Sequence, residues 1–203
     1  MTGRLRFRGQ IAGIGSTSGI RVVLGHWTDT PLGAFEDAMV ETEDGHRVLI
    51  APHQAAADFI AATYTFDEIR IEQIAVTPEP DSPSWNVACA SLSIGLGFGR
   101  RTALGWALRA VPRRLAESPA WCAVTDPLSR ALLRGVRTRG TAGNGRREWY
   151  GATDARRVVI MAGRFERTDL GELADVDPPC RFGFSSTPRR PCVTTVVTTV
   201  ETA

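Results

Sequence analysis

The chain has 203 residues, 43% apolar and 23% charged, with a net charge of +2; this is the balance of a folded globular protein with a sizeable core, and too little charge for a nucleic-acid binder. All 24 basic residues are arginine, so a Walker-type phosphate loop, Schiff-base catalysis, a Ser–Lys dyad and a protein-kinase site of the usual type are excluded. An arginine-only basic set is what codon bias in a GC-rich bacterial genome produces, and the Arg-Arg pairs therefore carry no argument about a ligand.

The first ten residues, MTGRLRFRGQ, hold no apolar run and do not read as a secretory signal, so the chain is expected in the cytoplasm. Arg4–Ile11 sets Arg4, Arg6 and Arg8 against Leu5 and Phe7, the alternation of a half-buried strand. A turn over Gly13–Gly19 leads into a second strand, Ile20–Trp27, and a loop around Pro31. Two apolar-rich runs, Phe35–Thr42 and Arg47–Ala51, then flank Asp44-Gly45, a dipeptide suited to a two-residue hairpin turn. That turn predicts a register in which Val40 faces Leu49, Met39 faces Ile50 and Glu36 faces His53. Both faces of this hairpin carry apolar residues, which predicts a central position with cover on each side. Gln54–Thr63 reads as a helix able to supply one cover.

Glu68–Val76 reads as a further strand. Pro78, Pro80 and Pro83 mark a candidate internal break near 77–84; otherwise residues 1–203 read as one domain. Trp85–Phe98 reads as one long strand; its apolar part is too short to cross a bilayer. Leu104, Ala107, Leu108, Val111 and Leu115 have helical spacing over Thr102–Leu115, with Pro112 kinking or ending the helix. A second short helix is predicted over Pro127–Leu133, with Asp126 as its N-cap.

Asn144-Gly145 is a second hairpin signal, predicting that Gly135–Ala142 pairs with Arg147–Asp154. Trp149 should then pack over the bare backbone of Gly140, with Tyr150 beside Arg139 on the other face. Val158–Phe165 and the β-branched Cys192–Val200 are strands, separated by the long Pro-rich stretch Asp175–Pro191. Hairpins between neighbours dominate. The expected fold is therefore α+β and β-rich: a curved, mostly antiparallel sheet or barrel with a few short helices.

Few motifs point to chemistry. The glycine-rich Gly13–Ile20 precedes a strand-like run rather than a helix, and Gly95–Gly99 fails the dinucleotide spacing, so no cofactor is expected. Three histidines without a helical pair, and four cysteines (89, 122, 180 and 192) without C-x-x-C spacing, predict no metal site and no disulfide framework.

Three clusters remain. Glu36, Asp37 and His53 form the candidate proton-transfer group: the predicted register sets Glu36 beside His53, with Asp37 between Phe35 and Met39 on the opposite face, where desolvation would raise its pKa. Arg137, Arg139, Glu148 and Tyr150 share one predicted strand face, either solvated or lining a barrel mouth that takes an anion. Arg181, Phe182 and Phe184 are a candidate lid, or a plug for the end of the core.

The leading functional expectation is a small-molecule binding domain for an apolar or amphipathic, anionic or neutral ligand held in the curved sheet. The alternatives are a cofactor-independent acid–base enzyme using Glu36 and His53, and a peripheral membrane or partner-binding module acting through the arginine-flanked stretch 99–115. Nucleic acid is not an expected partner: there are only two tyrosines for stacking, and 22 acidic residues offset the arginines.

Overall fold

Alternating side chains carry the expected first strand further than its sequence bounds, giving β1 over Arg4–Ser16, followed by β2 at Arg21–Asp29. Residues 3–79, 82–133 and 135–201 are described by the computed structural model, with the side chain of Leu132 excepted. The central hairpin is β3 (Phe35–Glu41) and β4 (Arg47–Ala51), and α1 (Gln54–Ala61) follows at once.

The predicted strand at Glu68–Val76 is two strands, β5 (Glu68–Ile71) and β6 (Ala75–Pro78). The predicted strand at Trp85–Phe98 is likewise a hairpin, β7 (Ser84–Ala88) and β8 (Leu92–Arg101), because Cys89 N donates to the Leu92 carbonyl and turns the chain. The helical region is α2 (Ala103–Ala110), α3 (Arg113–Ala116) and α4 (Pro119–Leu132). Pro112 ends α2 as expected. Ser118, not Asp126, caps α4 by accepting from Trp121 N. Asp126 is buried within α4 and accepts instead from the backbone N–H groups of Thr138 and Arg139. The rest is β9 (Arg139–Thr141), a 19-residue β10 (Arg147–Phe165), β11 (Thr168–Asp169), β12 (Leu173–Ala174) and β13 (Cys192–Glu201).

These strands make one strongly curled, mostly antiparallel half-barrel sheet in the order β5-β4-β3-β2-β1-β13-β10-β8-β7-β6, with β9 and β11 added to β10 and β12 to β1. Among the described strands, only β4 and β5 run parallel. The two ends of that order, β5 and β6, are consecutive in the chain, and side chains reach across from β5. Arg70 donates to Ser91 Oγ at 2.9 Å and pairs with Glu166 at 2.6 Å, and Glu72 accepts from Ser91 N at 2.8 Å. The stretch 77–84 joins two strands of the same sheet, with Pro78 opposite Trp85; Pro80 lies outside the described residues.

Both predicted registers are off by one residue, for the same physical reason. The first loop holds three residues, Glu43–Gly45: Thr42 N donates to the His46 carbonyl, Gly45 N to the Thr42 carbonyl, and the Thr42 hydroxyl accepts from His46 N. Gly45 takes φ +89°, the three-residue hairpin geometry. Val40 therefore faces Val48 and Met39 faces Leu49. The second loop, Gly143–Gly145, is again three residues, with Asn144 at φ 56°. It is held by α1: Gly143 N donates to the Thr63 carbonyl and Asn144 Nδ2 to the Ala62 carbonyl. Glu148 thus faces Gly140, and Trp149 faces Arg139.

The expected packing of Trp149 over Gly140 is not formed. Phe184 occupies that bare backbone, where a Cβ on Gly140 would come within 2.2 Å of its ring. Trp149 lies on the other face between the guanidinium groups of Arg4 and Arg147, at 5.7 and 5.3 Å. Tyr150 sits on Phe184 rather than beside Arg139.

The curl gives the sheet two kinds of buried face. Ile14, Leu24, Val40 and Ile50 meet Val87, Ile94, Met161 and Phe165 in the main core. The intervening residues of β1 to β4, with Phe7, Trp27, Phe35 and Leu49, face the other way, toward α1 and a second cluster. No helix among the described residues is long and apolar enough to cross a membrane. Trp149 is 6% exposed, so Trp149→Ala should lower stability by about 3–5 kcal/mol in urea unfolding.

Candidate functional site

The second face of the sheet does not pack solidly against its cover. Between them lies a cavity of about 630 Å³. Its floor runs across β3, β2, β1, β13 and β10, and pairing registers order it into rows. Asp37 faces Gly25, which faces Ile11, which faces Thr194; further along, Phe7 faces Thr198, which faces Tyr150. Leu104, Ala107, Leu108 and Val111 from α2, and Trp121, Thr125 and Leu128 from α4, close the far side. The loop from Val176 to Pro188 seals one end, with Phe182 stacked on Phe66 at 5.7 Å.

Leu104, Ala107, Leu108 and Val111 of the stripe predicted over 102–115 thus line the cavity, while Leu104 and Leu115 stay 40% and 44% exposed. Trp106, 61% exposed, remains outside with Arg101 over its ring.

The three candidate proton-transfer residues stand in three places. The one-residue shift in register removes Glu36 from His53. Glu36 faces His26 across β2 and β3, with His26 Nδ1 and the carboxylate 3.1 Å apart. His53 caps α1, its Nδ1 accepting from Ala56 N at 3.2 Å. Asp37 lies in the cavity wall, 2% exposed, with Trp27 Nε1 donating to its Oδ1 at 2.7 Å. The bond needs the glycine opposite, because a Cβ on Gly25 would fall within 2.4 Å of both partners. Burial pushes the Asp37 carboxyl up to about 6; the Trp27 hydrogen bond opposes this and the neighbouring Glu36 charge adds to it.

The second predicted cluster divides. Glu148 and Tyr150 face the cavity, and Arg137 lines it beyond them, while Arg139 is exposed. Tyr64, at the end of α1, completes a chain absent from the sequence reading: its hydroxyl donates to Glu148 Oε1 at 2.7 Å and lies 2.6 Å from the Tyr150 hydroxyl. The protein's two tyrosines therefore meet over one carboxyl. Burial pushes Glu148 up to about 7, against the lowering effect of both tyrosine hydroxyls and the Arg146 charge. Burial first, and the Glu148 charge second, hold both phenols well above their ordinary range.

Arg181, expected at a ligand, is tied to structure. Its Nε and backbone N donate to Glu41 at 2.9 and 2.8 Å, and Arg21 pairs with the same carboxylate at 3.0 Å. Phe182 is buried in the cavity wall, and Phe184 backs Tyr150 at 5.8 Å. Among the described residues no group of three or more His, Cys, Asp or Glu is placed to hold a metal.

The cavity wall is apolar but not inert. Buried side-chain atoms without a hydrogen-bond partner among the described residues are Glu148 Oε2, Arg137 Nε, Thr187 Oγ1, Thr198 Oγ1 and Arg21 Nε, and all but the last belong to cavity-lining residues. Such atoms are costly when buried unpaired.

Searches against protein-family models, curated proteins and solved structures return no match.

Two measurements check the electrostatics. The raised carboxyls keep protons in the folded chain that the unfolded chain releases. Their neutral forms thus stabilise fully below about pH 4, and this is lost as pH rises through about 6 for Asp37 and about 7 for Glu148. Glu148→Gln should gain on the parent protein by on the order of 2–3 kcal/mol as urea unfolding is moved from about pH 5 to about pH 8. Glu41 is wholly buried and pairs with two arginines; Glu41→Ala should cost about 3–5 kcal/mol at neutral pH, because Arg21 is left buried without its partner.

Proposed function

We propose that this protein is a small-molecule binding domain whose cavity, between the half-barrel sheet and the α2–α4 cover, takes an apolar or amphipathic ligand. The observation that carries the reading is the cavity itself: about 630 Å³, walled by side chains such as Phe7, Trp27, Leu108 and Val196, with unpartnered buried polar atoms on four of its residues. That combination of apolar walls and a few oriented polar groups is the usual make-up of a ligand site. The apolar body of the ligand lies along Phe7, Trp27 and α2, and its polar end meets the Tyr64–Glu148–Tyr150 chain. A wholly apolar occupant would leave those polar atoms unpaired. The acid–base enzyme reading has no comparable support, since the Glu36–His53 pair it needs is not formed.

Native mass spectrometry of gently purified protein should show a bound small molecule, and amphiphiles should raise the melting temperature. Ala152, on the cavity floor, provides the control: Ala152→Phe should fill the space and abolish both effects while leaving the fold intact by circular dichroism. A protein that is empty, and whose melting temperature no apolar or amphipathic compound moves, would overturn the reading.

A further inference from the structure

The hydroxyl chain at the Glu148 end has a direction. Tyr64 donates its only hydroxyl hydrogen to Glu148 Oε1. The Tyr150 oxygen is 2.6 Å from the Tyr64 oxygen, and its hydrogen is spent within the same trio, on Tyr64 or on Glu148. Both phenolic hydrogens are then used, and what remains facing the cavity is a set of acceptors: the buried, unpartnered Glu148 Oε2 and the free lone pairs of Tyr150. Thr198 Oγ1, also buried and unpartnered, belongs to the residue directly opposite Tyr150 in the β10–β13 register. Aromatic rings stand around the set, with Tyr150 stacked on Phe184 at 5.8 Å.

A wall of acceptors calls for a ligand group rich in donors. An alcohol brings one hydrogen and a carboxylate none, whereas an ammonium brings three, together with the charge that a buried carboxylate lacks. Tyrosine and phenylalanine rings favour a cation further. Two arginines stand near. Arg146, whose charge reaches Glu148, is turned instead to the Phe59 carbonyl and the Thr63 hydroxyl, both at 2.9 Å, with its guanidinium over the Phe59 ring. Arg137 lies on the far side of the Tyr150 row from Glu148, since the residue after it, Thr138, accepts from Tyr150 N. Asp37 is on β3, four strands from β10 in the sheet order.

We infer that the ligand is a lipophilic amine, its protonated nitrogen held by Glu148 Oε2 and the Tyr150 and Thr198 hydroxyls and its apolar chain running along the cavity floor. This rests on the binding-domain reading above, and the test separates the two. Calorimetric titration of the full chain with decylamine, decanol and decanoic acid, all with the same tail, should rank decylamine first at about pH 8, by roughly tenfold or more over decanol, the factor that 1.4 kcal/mol represents. Glu148→Gln should bring decylamine down to the level of decanol. In the parent protein, lowering the pH to about 5.5 should shrink the same preference as Glu148 takes up a proton, which decides the matter should the variant not fold. Decanol or decanoic acid binding as tightly as the amine, or an amine preference that survives both the variant and low pH, overturns the inference alone. If none of the three binds, the binding-domain reading falls with it.

Discussion

The Glu41 carboxylate is the interaction on which the arrangement depends. It lies at the end of β3 with no exposed surface and holds Arg21 from β2 on one side and Arg181 from the covering loop on the other. Burying a carboxylate between apolar strands is unfavourable unless several donors meet it; here two guanidinium groups and the Arg181 backbone N–H do so. The consequence is geometric. The loop is fixed to the sheet at Arg181, so Phe182 on its inward side is driven into the cluster of Val176, Cys180, Tyr64 and Phe66. Tyr64 is thereby set against Glu148, and the polar end of the cavity exists because a charge cluster on its other side fixes the loop.

A second constraint is that the sheet has buried residues on both faces. One face closes on itself as a packed core; the other is covered by helices too short, and too few, to fill the space beneath them. The second face sets large rings, Phe7, Trp27 and Phe35, beside small or polar residues, Gly25, Thr194, Thr198 and Ala152, and the space between them stays open. An unfilled, mostly apolar space is unfavourable for stability. Here the unpaired polar atoms at its wall add to that cost.

Much of the fold was legible in the sequence and the site far less so, for physical reasons. Alternation over β1, the β-branched run of β13 and the hairpin dipeptides at Asp44-Gly45 and Asn144-Gly145 identify a curved, mostly antiparallel sheet. Register was not legible. Whether such a dipeptide closes a two- or a three-residue loop depends on who satisfies the backbone: the Thr42 hydroxyl at the first turn, the end of α1 at the second. One residue of slip re-pairs every position of a hairpin, so Glu36 does not face His53, and Phe184 rather than Trp149 lies over Gly140. Asp37, Glu148 and Tyr150 still reach the cavity because the face a residue occupies on its own strand survives such a slip. Tyr64 and Glu41 carry no local signal at all. Their partners are 84 and 140 residues away.

The tie from β5 to Ser91 and Glu166 bears on how this molecule behaves among copies of itself. An open sheet ends in two rows of unpaired amides and carbonyls, each a template on which another chain can add a strand. Here β5 is four residues long, and its Glu68 and Arg70 are engaged with each other and, through Arg70, with Ser91 and Glu166. An incoming strand would have to displace that network for at most four residues of pairing, beside Ile69 and Ile71, which are about half exposed. The charged tie from β5 to Ser91 and Glu166 thus also guards this edge of the sheet against an added strand.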